Sequence, residues 1–245
     1  MKKVLFVILF CINMIYAQKT YIAEGMSAPG QSPRAAFIAA KLDAQRQLLE
    51  QLGNIKIDSS TTVKDGMLEN DTIRTAIKGL LKNAKVIQSK YDPVKKYAVI
   101  KMAINYNQVA ANIIKHKKFE NIYVPHKEYK NVKQCDGLII DVRNHAFEPA
   151  IINKIMYAGN IIYDPSKVPQ SVIVQRGLAA YTVTVNKAKA ILDSYGSRTP
   201  CIVKPKKIIK NTDVELNKKD AQMISAANEK NAFLEKARIV FVMDN

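Results

Sequence analysis

The residues best suited to acid–base chemistry lie close together in the middle of the 245-residue chain. They are Asp141, Arg143, His145 and Glu148. Asp141 lies near the end of residues 137–142, a mostly apolar run that predicts a buried strand, and catalytic carboxylates are often found at the ends of such strands. A hydrolase built on this loop is therefore one hypothesis. The alternative is that Asp141 and Arg143 form a pair that stabilises a turn, with His145 as an ordinary loop residue.

Other sequence signatures of enzymes and cofactor sites are missing from the chain. The three histidines, His116, His126 and His145, do not have metal-binding spacing. Residues 79–82 lack the glycine spacing and the Lys-Ser/Thr ending of a phosphate-binding loop. The sequence therefore predicts no catalytic residue, no metal ligand and no cofactor, and a protein that is not an enzyme.

The N-terminus has the order of segments found in secretory signal peptides. Residues 2–3 are lysines, residues 4–16 are almost wholly apolar, and a polar stretch follows Ala17. The apolar run is short for a permanent membrane-spanning helix. We therefore expect cleavage after Ala17 and export to the periplasm, with association with the outer membrane as a further option. The alternatives are an uncleaved anchor and lipidation at Cys11, although the large Phe10 precedes that cysteine.

Cys135 and Cys201 are the two cysteines of the expected mature chain. Two thiols in an oxidising compartment often pair, and a bridge across this long loop would add roughly 3–5 kcal/mol of stability. The alternative is two separate buried thiols. Because no C-x-x-C motif is present, a redox role is not expected.

The chain is strongly basic, with 38 Lys and Arg against 21 Asp and Glu and a net charge of +17. Outside the cytosol, the abundant polyanions are lipopolysaccharide phosphates, anionic lipid headgroups and cell-wall polymers, and no nucleic-acid partner is expected. A lysine-rich segment is the candidate contact with such a surface, through Lys115, Lys117, Lys118, Lys127, Lys130 and Lys133. The alternative is a solvated linker whose charge keeps the chain soluble.

The periodicity of the first half predicts the order strand, helix, strand, helix, strand, strand, helix. A long helix is expected from Pro33 to about Leu52, with Ser32 as its N-cap. Its apolar stripe is expected to face the core and consists of Ala35, Ile38, Leu42, Leu49 and Leu52. Residues 86–91 and 97–104 predict a hairpin.

The second half predicts a further mixture of strands and helices, beginning with the apolar run at 137–142. We therefore expect an α+β protein with two small domains, each a mainly antiparallel sheet packed with helices. The expected boundaries are residues 1–17 for the signal peptide, 18–116 for the first domain, 117–134 for a basic linker and 135–245 for the second domain.

Two segments resemble known bacterial envelope families. Ala23-Glu24-Gly25-Met26, Arg34-Ala35-Ala36 and the strand ending at Ile104 resemble the outer-membrane lipoprotein family that includes FlgP and is similar to the first domain of FlgT. This resemblance covers about residues 20–116. Residues 135–143 with Glu148-Pro149-Ala150 resemble an uncharacterised envelope domain that often follows the lipoprotein domain.

The resemblance implies an accessory protein of a ring or disk around the flagellar motor. The leading hypothesis is thus a non-enzymatic exported envelope protein with a structural or assembly role, forming homo-oligomers with other envelope or flagellar-motor proteins as partners. The alternative is a periplasmic binding module for an anionic envelope component such as lipopolysaccharide or cell wall.

Overall fold

The computed structural model describes residues 19–123 and 134–244, so the expected signal peptide lies outside the described residues. The elements of the first range are β1 (Thr20–Met26), α1 (Pro33–Gly53), α2 (Val63–Glu69), α3 (Asp71–Lys82), β2 (Lys85–Asp92), β3 (Tyr97–Asn105) and α4 (Tyr106–Ile114). The strands form an antiparallel sheet in the order β1-β3-β2, and α1 packs on one of its faces. Within the described residues, no helix is long and apolar enough to cross a bilayer.

Short polar side chains fix the starts of several helices. Asn70 accepts hydrogen bonds from the second and third amides of α3. Thr62 and Asp65 form a reciprocal capping box at α2, and Asn105 and Gln108 form another at α4. These bonds satisfy backbone amides that have no partner inside the helix. The expected start of α1 at Pro33 is confirmed.

The face of α1 that packs on the sheet differs from the predicted one. Its buried side chains are those of Ala36, Ala40, Ala44, Leu48 and Leu52. Ile38 and Leu42 are 54% and 61% exposed, and of the predicted stripe only Leu52 is fully buried. The reason is Gly25 in β1, where an added Cβ would lie 2.2 Å from Ala40 O and Ala44 N. Such a close approach of helix and strand requires small residues on both elements.

The second range contains shorter strands and three helices among its described residues. Its elements are β4 (Leu138–Asp141), β5 (Ile155–Tyr157), β6 (Asn160–Ile161), α5 (Gln170–Arg176), β7 (Ala180–Thr182), α6 (Val185–Ser194), β8 (Cys201–Val203), β9 (Lys207–Ile209), β10 (Asp213–Glu215), α7 (Lys218–Asn231) and β11 (Ile239–Val242). One sheet has the order β7-β11-β4-β8 and the other the order β6-β5-β10-β9.

The mixed α+β class is confirmed, but the prediction of mainly antiparallel sheets is wrong for the second half. All strand pairs of the β7-β11-β4-β8 sheet are parallel, and β5 and β10 are also parallel to each other. Parallel neighbours need crossover connections, which α5, α6 and α7 provide. Both faces of this sheet are buried, so β4 is buried at all four positions and begins with three consecutive apolar residues rather than alternating.

The two halves are in direct contact, and the start of the expected linker belongs to this contact. Residues 117–123 cross to the second half, where Tyr123 N donates to Ile161 O at 2.7 Å and Ile161 N donates to Asn121 O at 2.9 Å. The loop after α1 also pairs with the second half, since Ile151 N donates to Lys56 O at 2.9 Å. A continuous buried apolar cluster extends through both halves.

Candidate functional site

The Asp141 loop has the geometry of a turn-stabilising pair. Arg143 Nε and Nη2 donate to the two oxygens of Asp141 at 2.8 and 2.7 Å. This bidentate bond lowers the pKa of Asp141, although partial burial opposes it. His145 is exposed, and Glu148 pairs with Lys56 of the first half. Among the described residues, no hydrogen bond joins His145 or Glu148 to Asp141, so the four side chains do not form one acid–base centre.

The two cysteines that the sequence suggested as partners are bonded to each other in the structure. Cys135 and Cys201 form a disulfide with a Cα–Cα distance of 5.4 Å across a separation of 66 residues. Both are buried, and Cys201 pairs with Leu138 where β8 meets β4. The bridge therefore ties the start of the central strand to the edge strand β8. Its burial suits a structural role rather than thiol exchange.

The candidate surface lysines do not share one environment. Lys115 and Lys118 are exposed, whereas Lys117 Nζ lies 2.6 Å from Asp58 Oδ2. Lys127, Lys130 and Lys133, together with His126, lie outside the described residues. Lys117 is thus committed to an internal ion pair rather than to an external anion.

Asp58 anchors the loop between α1 and α2. Its side chain is 5% exposed and also accepts hydrogen bonds from the amides of Ser60 and Thr61 at 3.0 and 3.1 Å. Burial opposes its ionisation, but the bonds from Lys117 and Ser60 outweigh burial and lower its pKa. The carboxylate therefore stays charged and holds Lys117, which begins the crossing segment, against the first half.

A cavity of about 280 Å³ lies where three segments of the chain meet. Asp58 comes from the loop after α1, Lys118 and Asn121 from the crossing segment, and Lys154 from the start of the β5 hairpin. Other lining residues are Lys117, Phe119, Glu120, Met156, Gly159 and Ile161. Clefts between packed units are common positions for ligand sites. The lining of this cavity thus combines charged side chains from both halves of the chain.

A second group of lysines, not among the predicted contact residues, surrounds β9. It consists of Lys204, Lys206, Lys207 and Lys210, all exposed and without an ion pair among the described residues. The density of four lysines within seven residues is a feature of the sequence that could have indicated this basic surface. Because β9 is an edge strand, these charges also discourage pairing with another chain.

The free edge of β1 is occupied by side chains of α1. Gln47 Nε2 donates to Glu24 O at 2.9 Å and Gln51 Nε2 donates to Ile22 O at 3.1 Å. Met26 N donates to Asp43 Oδ2 at 3.1 Å. The spacing of 43, 47 and 51 places these side chains on one line of the helix, directly over the strand edge. Strand addition at β1 would have to displace them.

The opposite edge strand of this sheet, β2, is interrupted by a β-bulge instead of being covered by helix side chains. Ile87 forms a bulge against β3, because Val86 pairs with Met102 and Gln88 pairs with Lys101. Bulges twist an edge away from regular pairing. Residue pairs of an antiparallel ladder alternate between hydrogen-bonded and non-hydrogen-bonded positions. In the remaining part of β2, this alternation directs the backbone N–H and C=O groups of Ser89 and Tyr91 away from β3. These groups have no hydrogen-bond partner within the described residues.

Comparison with known proteins gives one family match. Residues 137–245 match a family model described as the second domain of Tp0624 from Treponema pallidum. The second half of the chain is thus similar to a domain found in another protein. No curated protein matched the chain in a further comparison. These findings do not support the resemblance of residues 20–116 to the flagellar lipoproteins, which stays a prediction.

Proposed function

We propose that this protein is an exported, non-enzymatic component of the bacterial cell envelope that acts by assembling with other proteins. The observation that carries the proposal is the large apolar side chains that the first half exposes on two surfaces. Ile22 and Met26 are 50% and 53% exposed on the sheet face opposite α1, and Ile38 and Leu42 are exposed on the outer side of α1. Exposed apolar groups of this kind often mark protein contacts.

The open sheet face has the pattern of a contact surface. Across β1 and β3, Ile22 lies opposite Ala103 and Met26 lies opposite Val99. Between these apolar pairs, Lys101 Nζ and Glu24 Oε2 form an ion pair of 2.9 Å. Apolar groups with an internally satisfied charge pair can be covered by a partner without leaving an unpaired ion.

The location of the proposed assembly is the periplasmic side of the envelope. A buried disulfide is typical of proteins that fold in an oxidising compartment, which agrees with the signal-peptide pattern. A ring or disk around the flagellar motor is the specific assembly that we propose, with homo-oligomers and other motor proteins as partners. That part of the proposal rests on the resemblance of residues 20–116. The occupied edge of β1 favours contacts through the open face and α1 rather than through strand pairing.

Gene deletion with complementation tests this proposal. We expect the deletion to remove or alter a layer of the envelope in electron cryotomograms and to reduce swimming. Complementation with Leu42→Asp should fail, because a charge on the outer face of α1 opposes apolar contact. Val94→Asp is the matched control, since Val94 is 88% exposed in the β2–β3 turn. Normal envelope architecture and normal swimming in the deletion strain would contradict the proposal.

A second candidate function is the binding of an anionic envelope component. The observation that favours it is the cavity between the two halves, into which Lys118 and Lys154 project without an ion pair among the described residues. This candidate does not require assembly. Sedimentation of the purified protein with lipopolysaccharide, at low and high salt, is its test, because contacts between exposed charges weaken as salt screens them.

A further inference from the structure

The cavity between the two halves has walls that are held in place by hydrogen bonds. Asn121 adopts a left-handed conformation with φ 56°, and its carbonyl oxygen accepts the bond from Ile161 N. On the opposite side, Lys154 N donates to Asp213 Oδ1 at 3.1 Å. Asp58 and Lys117 form the third side through their 2.6 Å ion pair. A ligand would therefore meet a preformed site rather than flexible loops.

The charges that line this cavity fall into two groups. Asp58 and Lys117 satisfy each other, so neither leaves a free charge. Lys118 and Lys154 have no ion-pair partner among the described residues, although the charge of Lys154 interacts electrostatically with the carboxyl group of Asp213. The remaining acidic lining residue, Glu120, is exposed. The lysines of the cavity thus exceed its carboxylates by one, and Lys154 is half-buried.

The size and lining of the cavity restrict the ligand. A volume of about 280 Å³ is at the small end for ligand sites, and Phe119, Met156 and Ile161 contribute apolar wall. Two ammonium groups supply several donors to a compact anion with many acceptor oxygens, and lysine is a common ligand of phosphate. A phosphoryl group meets these requirements better than a single carboxylate, because it offers more acceptors and more charge.

We propose that Lys118 and Lys154 bind a phosphoryl group in the cavity between the two halves of the protein. This inference rests on the second candidate function and is independent of assembly. The phosphoryl group belongs either to a soluble phosphate compound or to the headgroup of an envelope lipid. In both cases Asp58 acts only as a positioning residue, since it holds Lys117 and the crossing segment.

Calorimetric titration of the purified oxidised protein with inorganic phosphate tests the site. We expect saturable binding that weakens at least about tenfold in the double variant Lys118→Gln/Lys154→Gln, because two charge-assisted hydrogen bonds are lost. The matched control is Lys218→Gln/Lys219→Gln at the exposed start of α7, which removes the same charge and should leave binding unchanged. Thermal melting of both variants checks that they fold, and Lys154→Arg should retain binding.

Vesicles that contain phosphatidic acid separate the two sources of the phosphoryl group. If the protein binds these vesicles and inorganic phosphate displaces it, the ligand is a lipid headgroup; if phosphate alone binds, the ligand is a soluble compound. Absence of saturable phosphate binding, or equal weakening in the control variant, would overturn the proposed site. If phosphate does not bind but lipopolysaccharide binding survives in the Lys118→Gln/Lys154→Gln variant, the site is overturned while the second candidate function stays in place.

Discussion

The two halves of the molecule cover their sheets in different ways. The β1-β3-β2 sheet packs α1 on one face, while its other face bears the half-exposed Ile22 and Met26. In the β7-β11-β4-β8 sheet, Leu138 and Ile140 belong to the large core on one face, and Ile139 belongs to a smaller core beneath α6 on the other.

This difference shows which interface each half depends on. The first half depends on a single close contact between α1 and the sheet, so a change at that contact has no second layer to compensate for it. The second half distributes its burial over two faces and adds a disulfide.

The contact of α1 with the sheet should be the most sensitive point. We expect Gly25→Val to lower the free energy of unfolding by about 4 kcal/mol or more. This loss is at least as large as the loss of about 4 kcal/mol expected when the disulfide is removed. The added side chain would collide with the backbone of Ala40 and Ala44, so the helix must move away from the sheet. Urea unfolding measures the effect.

Gly79→Ala is the matched control for Gly25→Val. Gly79 lies in α3, and an added Cβ there meets nothing within 4 Å. Alanine should therefore raise the free energy of unfolding by about 0.5–1 kcal/mol through its higher helix propensity. Similar stability of the Gly25→Val and wild-type proteins would show that α1 does not need this close approach.

The disulfide should contribute substantially to the stability of the second half. Replacing Cys135 and Cys201 by serine removes a constraint on a loop of about 66 residues, and we expect a loss of about 4 kcal/mol in urea unfolding. In unreduced, denatured wild-type protein, both cysteines should resist alkylation until a reductant is added. Equal alkylation with and without reductant would mean that the bridge does not form.

The buried pair of Asp58 and Lys117 should make the junction of the two halves sensitive to pH. Asp58→Asn leaves Lys117 without its counter-charge, and we expect a loss of about 3 kcal/mol at pH 7. Because the pKa of Asp58 is lower in the folded than in the unfolded protein, its stabilising effect is complete above the unfolded value of about 3.9. The effect disappears as pH falls through the folded pKa.

The pKa of Asp213 is shifted in the opposite direction from that of Asp58, so its effect on stability should change with pH in the opposite direction. Burial raises its pKa, although the amide of Lys154 opposes the shift. Its contribution to stability is therefore greatest at low pH and declines as pH rises through the folded pKa. Thermal melting of Asp58→Asn and Asp213→Asn between pH 3 and pH 7, at about unit steps, should give opposite trends relative to wild type. Parallel trends would contradict these assignments.

The outer face of α1 should tolerate polar substitution best. We expect Ile38→Ser to change the free energy of unfolding by about 0.5 kcal/mol or less, since Ile38 is mostly exposed. Leu48→Ala, on the buried face of the same helix, should cost about 3 kcal/mol through the cavity that it leaves. Chemical denaturation of both variants measures the difference, and a large loss in Ile38→Ser would mean that this face is covered.

Local patterns in the sequence determined several features correctly. Ser32-Pro33 marked the start of α1, because proline suits the first turn of a helix. The two alternating runs around residues 92–97 marked the β2–β3 hairpin. Each of these signals depends only on neighbours in the chain, so no knowledge of distant contacts was needed.

The proposed phosphate site was only partly visible in the sequence. Lys117 and Lys118 lie in the lysine-rich segment, but Lys154 is an isolated lysine and Asp58 is an ordinary loop residue. They meet because the crossing segment and the loop after α1 both pair with the second half. No spacing along the chain indicates such a meeting.

What the sequence alone determined is the α+β class and the order of most elements, because propensity, capping and turn chemistry act over a few residues. Tertiary structure alone decided which face of α1 is buried, since Gly25 admits only the alanine face close to the strand. It also decided the parallel pairing of β4 with β8 and β11, because parallel and antiparallel strands share the same period of two. The choice between them depends on where the crossover helices pack, and that contact forms only in the folded chain.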